Sequence, residues 1–223
     1  MGDMRRRQLL KRGGQCLLGM GTLGGSLLGW LESAWSDAKR IVLPPGTPRE
    51  SLAQENPAEL DTRNLEITPV ESFGVMGLSD HKVDLEQWVL EVDGHVESPL
   101  RLSYAELRAL SSMEREVLLI CPGVFANHGR WKGVSIRLLL EKAQAREGVS
   151  HVKIRGPETS YAKTVSCPIA DVRTDRVFLA CEVNGQPLPV RHGYPLRLVA
   201  EGYYGYDWVK YVHRLTAEKH PQN

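Results

Sequence analysis

Cysteine is scarce in this chain: four in 223 residues, Cys16, Cys121, Cys167 and Cys181. No two of them form a CxxC pair, which excludes a zinc ribbon or an iron–sulfur site of the usual spacing. An excess of charge of one sign is also missing. The formal net charge is +1, so nucleic acid is not an expected partner. No apolar span follows the one that ends near Leu31, and the remainder reads as soluble. There are no internal repeats and no low-complexity tract. What is left is enough chain for an export segment and one domain with a sizeable core.

The first residues carry Arg5-Arg6-Arg7-Gln8-Leu9-Leu10-Lys11, followed by a glycine-rich apolar stretch from Gly13 to Leu31. Positive charge ahead of an apolar run is the layout of a secretory signal, and paired arginines resemble the twin-arginine type, which exports folded cargo. Residues 1–38 are therefore expected to be a signal segment, cleaved near Ser36-Asp37-Ala38 or kept as a residual membrane anchor. Residues 39–64, with Pro44-Pro45-Gly46-Thr47-Pro48 and Asn56-Pro57, read as a linker or extended arm rather than a packed element.

From residue 65 to 218 strand signals dominate. Trp88–Gly94 alternates into Asp-Gly, Glu114–Cys121 ends an apolar run, His151–Arg155 alternates, and Val177–Cys181, Leu196–Ala200 and a stretch near Val209–Leu215 add three more strands. Ser103 and Glu106 have capping-box spacing for one short helix, and Ile136, Leu139, Leu140 and Ala143 share a face of another. The pattern is α+β with mixed sheets. Cys121 stands out because it sits at a strand end, just before the breaker-rich run Pro122–Gly129. An odd number of cysteines follows the signal, so at least one thiol is left unpaired or used chemically. Cys167 and Cys181 read either as a disulfide or as two small buried hydrophobes.

Several segments in order resemble the sulfite oxidase family. They are Ile67-Thr68-Pro69, Trp88–Gly94 with Pro99-Leu100, Cys121 with Trp131–Val134, Asn184–Pro189, His192–Val199 and Gly205–Tyr211. The likeness is to the molybdopterin-binding domain of exported bacterial members, including the methionine-sulfoxide-reducing branch. It implies a mixed-sheet molybdopterin-binding fold with short helices and a Mo-molybdopterin cofactor, one pyranopterin dithiolene per molybdenum. It also implies Cys121 as the protein's molybdenum ligand. Cofactor contacts are expected at Ser72, Phe73, Gly156, His192, Arg197, Trp208, Val209 and Lys210, with Arg197 suited to the phosphate by its fork of donors.

The resemblance further implies two-electron oxygen-atom transfer in the periplasm, on an S-oxide, N-oxide or sulfite-like substrate that is small or carried on a protein. Phe125, Asn127, His128 and Arg130, read as a loop after Cys121, are expected to line the substrate side, with His128 as a proton donor. With neither a haem domain nor an immunoglobulin-like dimerisation domain in the chain, a monomer is expected. Its electrons would pass through a separate membrane haem protein or cytochrome c. Two alternatives stand beside this reading. One is a cofactor-free periplasmic binding or assembly module; the other is a cysteine hydrolase pairing Cys121 with His128.

Overall fold

The computed structural model describes residues 40–158 and 163–219. The expected signal segment lies outside the described residues. Twelve strands and three short α-helices are assigned within the described residues. One five-stranded sheet takes the order β4 (Leu100–Ser103), β3 (Val89–Gly94), β12 (Arg214–Lys219), β7 (Val149–Arg155), β8 (Thr164–Pro168). It is mixed, because β12 runs parallel to β3 and antiparallel to β7. The second sheet runs β5 (Met113–Cys121), β6 (Phe125–Ser135), β9 (Val177–Val183). The far edge of β9 is shared by β10 (Gln186–Pro187) and β11 (Arg197–Ala200). Every pairing in this sheet is antiparallel.

One apolar core serves both sheets. Leu90, Val92, Val152, Ile154 and Leu215 come from the mixed sheet, and Val117, Leu119, Val134, Leu179 and Leu198 from the antiparallel one. All seven residues of β9 are buried, as befits a central strand. α1 (Tyr104–Ala109) begins at the expected capping box, with Ser103 and Glu106 each satisfying the other's backbone N–H. α2 (Ile136–Lys142) turns Ile136, Leu139 and Leu140 inward. α3 (Ile169–Arg173) gave no sequence signal, being only five residues long.

Three expectations are corrected. The run after Cys121 is not a loop: apart from a tight turn it is β6, paired with β5 from Cys121↔Phe125 to Met113↔Gly133. Its glycines permit close approach rather than chain reversal. A Cβ at Gly133 would lie 1.9 Å from the Leu179 carbonyl oxygen. The last strand begins at Arg214 rather than near Val209, because Tyr211 takes a left-handed φ of 54° that ends any extended run through it. The arm of residues 40–64 is packed. β1 (Ile41–Val42) pairs with β2 (Leu60–Asp61) in parallel. Leu43, Leu52, Leu60 and Leu65 form a second cluster with Leu118, Ile120 and Ala126 on the outer face of the β5–β6 hairpin.

Candidate functional site

The β5–β6 hairpin places Cys121. Val124 N–H donates to the Cys121 carbonyl at 3.0 Å, and Gly123, at φ 73°, donates to the Ala53 carbonyl at 2.8 Å. The reversal is tight and tied to the arm. Cys121, 8% exposed, faces a cavity of about 380 Å³, within the size range of small-molecule sites. Strand alternation sorts the neighbours. Leu119, Cys121, Phe125 and Asn127 line the cavity, while Leu118, Ile120 and Ala126 face the arm. Burial pushes the Cys121 thiol up from its ordinary pKa, with Lys163 opposing.

The even positions of β6 go the other way, and this relocates His128. Its Nδ1 lies 3.3 Å from the Glu66 carbonyl, and its Nε2 has no partner among the described residues. Burial holds its pKa below the usual histidine value. His128 is therefore a neutral ring beneath the arm, off the cavity. Arg130 is also outside it, paired with Glu116 at 2.9 Å. Of the four residues expected to line the substrate side, the structure brings Phe125 and Asn127 to the cavity. Both position the segment Gly74–Leu78. Gly74 N–H donates to Asn127 Oδ1 at 3.0 Å, and Asn127 Nδ2 donates back to the Gly74 carbonyl at 3.2 Å.

His192, Arg197, Trp208 and Lys210 line the same cavity. They come from the chain between β10 and β12. Arg197 is 3% exposed. Its guanidinium carbon lies 4.9 Å from the Trp131 ring centroid and 5.3 Å from that of Trp208, and because the two indole centroids are themselves 5.5 Å apart, both rings back the cation from one side. Nη1 donates to the His192 carbonyl at 3.0 Å, and Nε has no partner among the described residues. Burial lowers the Arg197 pKa to about 9. For His192, burial first and then the charges of Arg197, Arg191 and Lys210 lower it to about 3, so the ring is neutral. Lys210 is lowered to about 8 by burial and then by Arg197.

The remaining expected contacts fall into two groups. Phe73, Gly156 and Val209 support the wall from behind. The Phe73 ring meets His192 edge-on at 5.5 Å and Trp131 at 5.9 Å. Gly156 packs so closely that a Cβ there would lie 2.9 Å from the Lys210 carbonyl oxygen and 3.2 Å from Val209 Cγ1. Ser72 is elsewhere: it is exposed, lines a different cleft, and its carbonyl accepts from Arg49 at 3.3 Å.

The sequence reading missed the Gly74–Leu78 segment, Lys163, Tyr206 and Tyr211, all of which line the cavity. Met76 Sδ lies 3.3 Å from Cys121 Sγ. Lys210 holds this segment: Nζ donates to the carbonyls of Met76 (2.9 Å), Leu78 (2.9 Å) and Arg191 (2.8 Å). An aperiodic loop gives no pattern to read, and Gly74 and Gly77 were its only signal. Cys167 and Cys181 are both free and buried, on different sheets. Among the described residues no group of three or more His, Cys, Asp or Glu side chains could hold a metal. An ion at Cys121 would thus need most of its ligands from a cofactor.

Comparison with known proteins gives a consistent result. The family model described as oxidoreductase molybdopterin binding domain matches residues 77–223. An uncharacterized oxidoreductase of Bacillus subtilis, YuiH, is 30% identical over 155 residues, 67% of this chain and 77% of that protein. The catalytic subunit of the protein-methionine-sulfoxide reductase MsrP of Gluconobacter oxydans is 26% identical over 226 residues. That match spans 89% of this chain and 68% of that one. Among solved structures, the sulfane dehydrogenase SoxCD of Paracoccus pantotrophus superposes with a TM-score of 0.58 at 21% identity. It covers 92% of this chain and 55% of that structure, a likeness of fold.

Proposed function

This chain belongs to the oxidoreductase molybdopterin-binding domain family, and from that membership we propose an exported enzyme that transfers an oxygen atom at a molybdenum held by Cys121. Binding of Mo-molybdopterin and oxidoreductase activity follow from the family. The sulfite-oxidase-like α+β fold is the one expected. The substrate, the export route and the role of each residue are the proposal. An S-oxide or N-oxide is the favoured substrate class, with a sulfite-like anion as the other. Export in the folded state to the periplasm rests on Arg5–Lys11 and the apolar stretch behind it. Among the described residues no helix is long and apolar enough to cross a membrane. The working unit is taken as a monomer that exchanges electrons with a separate haem protein.

One observation carries the reading: a thiol at a strand end shares a single cavity with a buried arginine whose Nε lacks a partner. The donor set fits the cofactor. Thiolate is the soft ligand that suits such a metal, and a buried cation with an orphaned N–H suits an anionic tail. When bound, the group supplies the two-electron redox chemistry. The chain does the rest. Cys121 would hold the metal as its thiolate, without its proton. Arg197, backed on one side by two tryptophans, carries an Nε–H that has no partner among the described residues. Neutral His192 accepts from Arg191 Nε–H at Nε2 (3.2 Å), which leaves its Nδ1–H as a donor for a polar heterocycle. Lys210 has all three N–H groups committed to carbonyls, so it shapes the cavity by clasping Gly74–Leu78. Phe125, Val75 and Met76 supply apolar surface beside the thiol. A hydrolase pairing Cys121 with His128 is excluded by geometry, because the two side chains lie on opposite faces of the hairpin.

Protein expressed with cofactor supply should carry close to one molybdenum per chain. Cys121→Ser should reduce that to near zero and abolish turnover while leaving the circular dichroism spectrum unchanged. Redox-dye assays across sulfite, methionine sulfoxide and other S- and N-oxides identify the substrate. Wild-type protein that folds under those conditions yet holds no metal supports the cofactor-free binding module instead.

A further inference from the structure

Two sulfurs meet at the wall of the cavity. Cys121 Sγ–H donates to Met76 Sδ at 3.3 Å. Cys121 is 8% exposed and Met76 is 51% exposed, so the thioether is the outer member of the pair and the thiol the inner one. Two methionines lie among the described residues. Met113 is packed against the core, and Met76 is the one open to solvent.

Only the side chain of Met76 is free to move. Its carbonyl accepts from Lys210 Nζ at 2.9 Å, and the Leu78 carbonyl accepts from the same ammonium at 2.9 Å. On the other side, Gly74 exchanges two hydrogen bonds with the Asn127 side chain. The backbone is pinned before and after the residue, while the thioether hangs on rotatable bonds. As an apolar group it suits its company, since Val75, Leu78, Leu119 and Phe125 line the cavity with it.

Oxidation reverses that preference. When a peroxide meets a thioether, the O–O bond breaks and one oxygen forms an S–O bond. The sulfur loses two electrons, and the other oxygen leaves as water. The resulting sulfoxide is polar, and a polar oxygen among apolar neighbours is costly without a good donor. The Cys121 S–H is a weak donor. Solvent already reaches half of Met76 and offers strong ones.

We propose that Met76 is an oxidation site and a redox-sensitive cover on Cys121. As a thioether it closes over the thiol; as a sulfoxide it turns outward and opens it. The modifying reagent is a two-electron oxidant of the hydrogen peroxide class. The cover acts while the thiol is free, and it sets how readily anything that binds through sulfur reaches position 121. This holds whatever metal or substrate the cavity takes.

The test is the rate at which iodoacetamide alkylates Cys121 in the folded full-length chain isolated without cofactor, read by peptide mass spectrometry. Cys167 and Cys181, each 1% exposed, are internal controls, and their unchanged labelling distinguishes an opened cover from a lost fold. Limited hydrogen peroxide should oxidise Met76 about tenfold faster than Met113, because susceptibility follows exposure. Dithiothreitol then returns any oxidised thiol and leaves the sulfoxide. After this treatment the Cys121 rate should rise about tenfold, as access to the sulfur improves. Met76→Gln, polar and of similar length, should show the fast rate with no oxidant. Met76→Leu, apolar and without sulfur, should keep its rate after peroxide. Oxidation of Met113 as fast as Met76 overturns the proposal. So does a Cys121 rate that is unchanged once Met76 is a sulfoxide, or a Met76→Gln rate equal to that of untreated wild type. Molybdenum does not enter the measurement, so a chain that takes up no metal would defeat the functional reading alone.

Discussion

Burial beside other cations is what sets the chemistry of individual residues here. His192 is 2% exposed, and its pKa of about 3 sits well below the ordinary 6.5. The unfolded chain therefore takes up a proton at His192 as pH falls below about 6.5, while the folded protein resists until about 3. Stability from this residue is fully present above pH 6.5 and is lost progressively toward pH 3. His128, also lowered by burial, acts in the same direction. The melting temperature of wild type should fall between pH 7 and pH 5, and His192→Asn should flatten that slope measurably. An unchanged slope would mean that the ring protonates freely in the folded state. Cys121 drew notice by its place at a strand end and Arg197 through the family resemblance, and both line one cavity. The unfilled Nε of Arg197 was not legible, since only the packing of Trp131 and Trp208 closes the space around it.

At the scale of elements, the β5–β6 hairpin divides the molecule's chemistry between two faces. Its strands were half legible. The apolar run into Cys121 announced β5, but the glycines of β6 imitated a loop. Their purpose is contact: at Gly133 the pairing of β6 with β9 shifts register, and the Leu179 backbone approaches where a side chain would otherwise be. Gly133→Ala should thus cost about 3 kcal/mol, since the clash is with backbone and a central strand cannot yield cheaply. Chemical denaturation reads this directly, and a cost below about 1 kcal/mol would contradict the packing. The Gly74–Leu78 segment depends on a different device, three carbonyls gathered by one ammonium. Lys210→Met should release it. Hydrogen exchange at residues 74–78 should accelerate about tenfold or more, given roughly 1.5–3 kcal/mol for hydrogen bonds to a charged group. Protection unchanged from wild type would show that Asn127 alone holds the segment.

For the whole molecule, the arm before residue 65 is part of the fold. Leu43, Leu52, Leu60 and Leu65 cover Leu118 and Ile120. A chain beginning at residue 66 should expose that cluster and lose several kcal/mol, at about 1.5–3 kcal/mol per buried aliphatic side chain before the arm's own ordering cost is subtracted. Its melting temperature should drop by about 10 °C or more; an unshifted melt would mean that the arm merely rests on the hairpin. The sequence by itself determined the fold class, most strands, the capping box of α1, and the thiol and arginine on which the proposed chemistry turns. Each of these is written in a local pattern of apolar period, turn residue or ordered motif. Tertiary structure alone decided the rest: that His128 turns away from the thiol, that Lys210 is a clasp, that Lys163 lines the same cavity as Cys121, and that the arm is core. Those facts depend on which face a strand presents and which distant groups a side chain meets, and neither is encoded in the spacing of neighbours along the chain.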